Sequence, residues 1–272
     1  MTVQLQTFET LRDAAAMLGR DPSARFLGGG TLLVRALNED AADFSTLVRC
    51  TDPALTGVRA SGSRVRIGAA VTMAQVLATP DLAFLHPAAR SVGGPAVRAQ
   101  ATVGGNLFAP PPYGDFTAAL LALDARVSVQ SGYSPREMPI DEFLHGRDSS
   151  SRAMAAGVEL ARPRGARSLR FLKVSKVRPK GVALLTIAAR LEESAGRLSG
   201  VRVAYSNMGP APMRAVAVER ALEGRRLERT DVEGAAAVAA DGCSPPTDAI
   251  ASAWYRREVV PVHLSRLLLG GA

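Results

Sequence analysis

The sequence predicts an α+β protein of two domains: a larger N-terminal domain organised around glycine turns and a smaller C-terminal one of antiparallel sheet with helices. Three observations carry this. A chain of 272 residues exceeds one domain of ordinary size. Near its start a short strand runs through a glycine turn into a helix. An RPRG tetrapeptide at Arg162–Gly165 then breaks the pattern, and alternating strands followed by three helical stretches come after it. The boundaries expected are 1–163 and 164–272.

In chain order, TFETLRDAAAML spaces Phe8, Leu11, Ala14, Ala15 and Leu18 as an amphipathic helix. Arg25–Leu27 is a short strand leading into Gly28, Gly29, Gly30 and Thr31, after which LLVRALN resumes helical spacing. GVRASGSRVRIGAAV reads as a hairpin, and Thr72 with Gln75 has the spacing of a capping box ahead of a helix to Ala78. A further helix is expected over Asp81–Ser91. The proline- and glycine-rich stretch from Val92 to Asp115 predicts ordered but irregular loops. Asp115 stands where an N-cap belongs, before FTAALLALD. ARVSVQSG and REMPI read as strands.

Beyond the boundary SLRFLKVSKV alternates as a strand, VALLTIAARL suits a buried helix or strand, and RLSGVRVAYSNMG is strand-like. Helices are expected over Ala215–Leu222, Asp231–Ala240 and Ile250–Leu269, the last interrupted at Pro261 and stopped by Gly270 and Gly271. The C-terminal helices are expected on one face of the sheet.

Composition narrows the chemistry. Hydrophobic residues at 47% and charged residues at 21% are ordinary globular usage. Cys50 and Cys243 are the two cysteines and form no CxxC pair, and His86, His145 and His263 have no paired-ligand spacing. A structural zinc, a disulfide framework and a cysteine-ligated cluster are therefore improbable in this chain. The N-terminus lacks the basic start and apolar core of a secretory signal, and no apolar run approaches a bilayer span, which predicts a cytoplasmic protein. The net charge of +8 invites a nucleic-acid reading. Yet the chain holds three lysines only, and its arginines are dispersed, as base composition would leave them. The densest run contains Arg162, Arg164, Arg167, Arg170, Lys173, Lys176, Arg178 and Lys180 and no acid. It is either a solvated strand and linker or a site for an anionic ligand or acidic partner.

Two segments could carry chemistry. Gly28–Thr31 lets backbone amides converge on an anion at a helix start, although alone it is equally a plain turn. It fails the Rossmann fingerprint at Leu33 and lacks the Gly-Lys-Ser/Thr of a P-loop. Thr102-Val103-Gly104-Gly105-Asn106 is a second turn rich in donors. Asp115 downstream is a helix cap or an acceptor for sugar hydroxyls. Together they suit a diphosphate-linked nucleotide. No nucleophile, base and orienter stand in a recognisable grouping, which favours redox chemistry borrowed from a cofactor over hydrolysis.

FLGGGTLLVRAL followed by ATVGGNLFAPPPYGDFTAALLALDARV resembles the FAD-binding medium subunit of the molybdenum hydroxylases, the family of xanthine dehydrogenase, aldehyde oxidoreductase and aerobic carbon monoxide dehydrogenase. SNMGPAPMRAVAVERALEG and WYRREVVPVHLSRLL resemble that family's C-terminal domain, so the likeness spans nearly the whole chain. It implies a vanillyl-alcohol-oxidase (PCMH) type flavin domain of two subdomains and a C-terminal domain of the carbon monoxide dehydrogenase flavoprotein type.

Carried over by residue, the resemblance places Leu27, Gly28, Gly29, Gly30, Thr31, Leu32 and Leu33 in a first FAD segment on the pyrophosphate. Thr102, Gly104, Gly105 and Asn106 form the second, Asp115 holds hydroxyls of the sugar chain, and Gly157 makes a backbone contact. Lys173 lies near the flavin, and Val182 stands where the family sets a tyrosine or isoleucine against the ring. The sequence departs from the family's usual polar residue at Leu32, aspartate at Gly181 and aromatic at Val182. No His or Tyr suggests covalent attachment, so FAD is expected to be non-covalent, and two distant cysteines exclude the four-cysteine insert of some relatives.

The partners implied are a molybdopterin large subunit and a small subunit with two [2Fe-2S] clusters, with a dimer of heterotrimers as one assembly. The electron acceptor would be NAD, a quinone, oxygen or a carrier protein. A stand-alone flavin oxidoreductase on the same fold and a basic nucleic-acid-binding protein are the alternatives.

Overall fold

The computed structural model describes residues 2–131, 134–147, 154–165, 168–177 and 181–270. In chain order the first elements are β1 (Gln4–Phe8), α1 (Leu11–Arg20), β2 (Ala24–Phe26), α2 (Leu33–Asn38), β3 (Thr46–Cys50), β4 (Val58–Ser61) and β5 (Arg64–Gly68). Next come α3 (Met73–Ala78), α4 (His86–Ser91), α5 (Pro95–Gln100), α6 (Val103–Phe108) and α7 (Asp115–Ala122). They are followed by β6 (Arg126–Ser131), β7 (Ser134–Pro139), α8 (Ile140–Gly146), β8 (Met154–Ala161), β9 (Leu169–Val174), β10 (Leu185–Ser194), β11 (Arg197–Ser206) and β12 (Met213–Arg214). The chain closes with α9 (Val216–Leu222), α10 (Arg229–Ala237) and α11 (Ala253–Leu269). Gly132, Arg167, Arg178, Lys180 and Gly271 lie outside the described residues.

The chain forms two compact units that interleave along the sequence. The first takes Met1–Ala78, Gly94–Ala109 and Ala125–Ala161; the second takes Thr79–Gly93, Pro110–Asp124 and Arg162–Ala272.

The first unit holds a parallel sheet ordered β1-β3-β2 and an antiparallel one ordered β4-β5-β8-β6-β7. Helix α1 starts where Thr10 accepts from the Asp13 amide at 3.1 Å. It buries Ala14, Ala15 and Leu18 in one apolar cluster with Ala24, Val48, Leu55, Ala69 and Met154, which draws on both sheets. Phe8, expected on this helix, belongs to β1, because pairing Phe8 with Cys50 of β3 gives the segment's backbone a ladder. The 58–68 hairpin forms as expected, and the Thr72–Gln75 capping box closes in both directions at 2.8 and 3.2 Å. The stretch expected to be irregular contains α5 and α6. Gly94 precedes Pro95 at the start of α5, and Thr102 caps α6, whose first turn holds Gly104 and Gly105, while 109–114 is irregular as expected.

In the second unit the sheet runs β12-β11-β10-β9, all antiparallel. From Leu185 on, VALLTIAARL is strand β10 and not a helix, buried on both faces: Ile187, Thr186 and Ala188 are all fully buried. Leu185, Ile187, Ala189, Val203 and Tyr205 join residues of α9, α10 and α11 in the main core. The three C-terminal helices share this one face, as expected, and the opposite face is covered by α7, from earlier in the chain. Residues 81–91 form a 3-10 turn, Pro80–Leu85, followed by α4, instead of one helix. Helix α11 passes through Pro261 without a break. Its buried face of Arg256, Val260, Leu264 and Leu268 outweighs the lost backbone bond. No helix among the described residues is long and apolar enough to cross a membrane.

The largest fully buried side chain of this unit is Arg256. It donates to the carbonyls of Leu184 at 3.0 Å and Ala251 at 2.9 Å, to that of Pro246, and to both oxygens of Asp248 at 3.0 and 2.9 Å. Burial alone would raise the Asp248 carboxyl, but the Ala251 amide, the Arg256 guanidinium and the Ile250 amide together hold it below its ordinary value. A carboxyl depressed in the folded state stabilises above its unfolded pKa, and that contribution disappears as pH falls through the folded value. Arg256→Ala should therefore cost about 3–5 kcal/mol at neutral pH. In urea unfolding it should also abolish the part of the acid destabilisation that Asp248 causes; an unchanged midpoint and acid limb would refute this anchor.

Candidate cofactor site

Strand β2 ends at Phe26, and the chain turns at Leu27, whose N–H donates to the Val48 carbonyl of β3 at 2.8 Å. Gly28, Gly29 and Gly30 follow, Gly30 in the left-handed region at φ +71°. Thr31 and Leu32 then lead into α2, which begins at Leu33 and has no side-chain cap. None of the amides from Gly28 to Leu33 donates to a protein acceptor among the described residues. These donors form a concave backbone surface of the kind that receives an anion.

The second glycine segment is built differently. Thr102 caps α6, accepting from the Gly105 N–H at 3.0 Å, while its carbonyl accepts from the Asn106 N–H at 3.0 Å and the Asn106 Nδ2 at 2.9 Å. Val103 donates to the Val71 carbonyl and Gly104 to that of Ala69, at 2.9 and 2.8 Å. Its amides from Val103 to Asn106 are thus paired within the protein. The Thr102 hydroxyl proton, not spent in its cap bond, is what this segment can offer a ligand.

The two segments touch through missing side chains. A Cβ on Gly29 would lie 1.7 Å from the Gln100 carbonyl oxygen, and one on Gly28 would lie 2.9 Å from Thr102 Oγ1. On Gly104 it would meet Ala69 Cβ at 2.8 Å, and on Gly157 the Ile67 carbonyl at 2.7 Å. Gly157 sits opposite Gly68 in the β5–β8 pair, one residue beyond Ala156, which accepts from Ala69. Beside the first loop is a cavity of about 360 Å³, lined by the three glycines, Leu5, Leu27, Val34, Arg49 and Gln100. A glycine cradle with unpaired amides beside a cavity fits the diphosphate of a dinucleotide. Arg49 and Gln100 belong to no motif, and sequence reading missed them.

Asp115, Lys173 and Val182 belong to the second unit. Asp115 is the first residue of α7, not its cap; Gly114 fills that place at φ 92°. Its buried carboxylate accepts from Lys173 Nζ at 2.6 Å and from Thr186 Oγ1 at 2.7 Å, and Lys173 also donates to the Ser91 carbonyl at 2.9 Å. The structure therefore joins Asp115 and Lys173 directly. Thr186, the polar residue in the apolar run of β10, completes their bonding and was not singled out from sequence. Val182 precedes β10 and is exposed. Of the basic run, Arg162 pairs with Asp81 at 2.8 Å and Arg170 donates to carbonyls at the end of α11, so those described charges serve the unit itself. Burial raises both cysteine thiols, Cys243 to about 11, which leaves them protonated near neutral pH.

With FAD as the ligand that the resemblance implies, Gly29→Ala should displace the first loop and reduce bound flavin per chain severalfold. Gly19→Ala, whose added Cβ meets nothing within 4 Å, should keep full flavin content and gain about 0.5–1 kcal/mol. Flavin absorbance per protein and thermal unfolding check both; full flavin in Gly29→Ala would show that the close approach does not build the site.

Residues 1–169 match the family described as FAD binding domain in molybdopterin dehydrogenase, and residues 170–270 match the CO dehydrogenase flavoprotein C-terminal domain. The chain is 27% identical to the glyceraldehyde dehydrogenase medium chain of Sulfolobus acidocaldarius, over 93% of this chain and 92% of that one. It is 26% identical to the carbon monoxide dehydrogenase medium chain of Hydrogenophaga pseudoflava, over 96% and 93%. The crystal structure of carbon monoxide dehydrogenase from that organism, lacking its Mo-pyranopterin moiety, superposes with a TM-score of 0.88 at 25% identity, covering 98% of this chain and 96% of that one. With the glycine cradle on its first unit and the antiparallel sheet on its second, the chain belongs to the molybdopterin dehydrogenase FAD-binding family, as an FAD subunit of a molybdopterin-dependent oxidoreductase.

Proposed function

We propose that this protein is the FAD-carrying electron-transfer subunit of a heterotrimeric, cytoplasmic molybdenum hydroxylase. In this reading a molybdopterin subunit oxidises the substrate and a two-[2Fe-2S] subunit delivers electrons to the flavin. The observation that carries it is the row of unpaired amides from Gly28 to Leu33 beside a cavity, in a chain of this family. Relatives are named medium chains, which fits a subunit between a larger and a smaller one.

FAD, when bound, supplies the redox chemistry, taking up two electrons and releasing them to an acceptor. The residues supply binding and electrostatics. The Gly28–Leu33 amides hold the diphosphate, the Thr102 hydroxyl donates beside them, and Gly104, Gly105, Asn106 and Gly157 keep the backbone around it closely packed. We assign Asp115 to hydroxyls of the sugar chain and Lys173 and Val182 to the flavin. Because Lys173 is paired with Asp115, its charge is largely balanced. It acts as half of a neutral pair rather than as an isolated cation drawing electrons to the ring.

The test is to express the chain alone and with its genomic neighbours, purify through a tag on it, and measure flavin, molybdenum and the visible spectrum. Extractable FAD with co-purifying molybdenum and [2Fe-2S] absorption is expected. FAD without partners from both preparations would favour a stand-alone flavoenzyme, and a colourless protein from both would overturn the reading.

A further inference from the structure

Among the residues lining the cavity beside the glycine loop, Leu5, Leu27, the three glycines, Val34 and Gln100 are uncharged, and Arg49 is the one that carries charge. It stands at the carboxyl end of β3, next to Val48, whose carbonyl receives the N–H of Leu27 where β2 runs into the loop. Ligands of parallel sheets settle outside these strand ends. Alternation along β3 turns Val48 into the core with α1 and Arg49 to the other face, shared with Leu5 through the Leu5–Leu47 pair. Arg49 is exposed, and no hydrogen bond or ion pair to another described residue engages its guanidinium. Arg25, on the neighbouring strand, is by contrast held by Asp43 at 3.0 Å.

A diphosphate carries full negative charge, whereas amides offer partial charges only. A guanidinium can add charge-assisted, bidentate bonds to phosphate oxygens. We propose that Arg49 is a further binding residue for the dinucleotide, providing the full positive charge for its pyrophosphate that the glycine loop lacks. The inference rests on the FAD reading above. It gives the cradle a division of labour in which amides shape the anion site and Arg49 contributes salt-dependent affinity.

The experiment uses the full chain stripped of flavin, as wild type, Arg49→Gln and Arg49→Lys, titrated with FAD and with riboflavin at low and high salt. Arg49→Gln should weaken FAD binding about tenfold at low salt and flatten its salt dependence. Arg49→Lys should recover most of the loss. Riboflavin, which has no phosphate, should bind wild type and Arg49→Gln alike. Wild-type FAD affinity and salt slope in Arg49→Gln, with the wild type binding FAD normally, would overturn the role of Arg49 and leave the FAD reading standing. An equal loss of riboflavin affinity would assign Arg49 a structural role instead and overturn the proposal. Failure of the wild type to take up FAD would overturn the reading and this inference with it.

Discussion

The approach of one backbone to another, Gly29 against Gln100, is the constraint on which the site depends. A side chain at Gly29 would have its Cβ 1.7 Å from a carbonyl oxygen, so the first loop can lie where it does only because that side chain is absent. The surface it packs on is itself fixed: Gly104 donates to Ala69, Ala69 to Ala156, and Val103 to Val71. Both sheets of the first unit, through α1 and Ala69, thus hold the second glycine segment rigid, and that segment holds the first. The amides left over are those of the loop. A paired segment serves as the wall and an unpaired one as the binding surface, a distribution that two similar glycine-rich sequences do not reveal by themselves.

The second unit solves another problem, burying polar groups in an apolar sheet. Thr186 lies on the face of β10 turned towards α7, where an unpaired hydroxyl would be costly. Asp115 accepts from it and from Lys173, and Lys173 reaches the Ser91 carbonyl as well. Helices α4 and α7 therefore join this unit by polar bonds as well as by packing. Arg256 plays the matching part on the other side of the core, tying α11 to the start of β10 and to the preceding loop.

Much of this was legible in the residues. The capping box at Thr72 and Gln75, the 58–68 hairpin, the strand–glycine–helix unit and the C-terminal helices follow from local rules of spacing and capping. Strand β1 was not legible, because Phe8 falls at helical spacing from Leu11 and Ala15 and only pairing with distant β3 decides the matter. Helices α5 and α6 were obscured by glycines and prolines that in fact sit at their starts. The recruitment of residues 79–93 and 110–124 to the second unit is a tertiary fact with no local mark. Of the site, both glycine segments stood out, but which of them has free amides did not, since that depends on partners at Ala69 and Val71. Arg49 was invisible for a similar reason. One arginine among many gains meaning only from being the charged residue on the cavity wall.

Amide hydrogen exchange on the full chain, read with and without FAD, tests most directly the claim that one segment binds and the other supports. The amides of Gly28 to Leu33 should exchange fast without FAD and become protected with it, while those of Val103 to Asn106 should be protected in both states. Protection gained at 103–106 alone, with the first loop unchanged by FAD, would contradict the account.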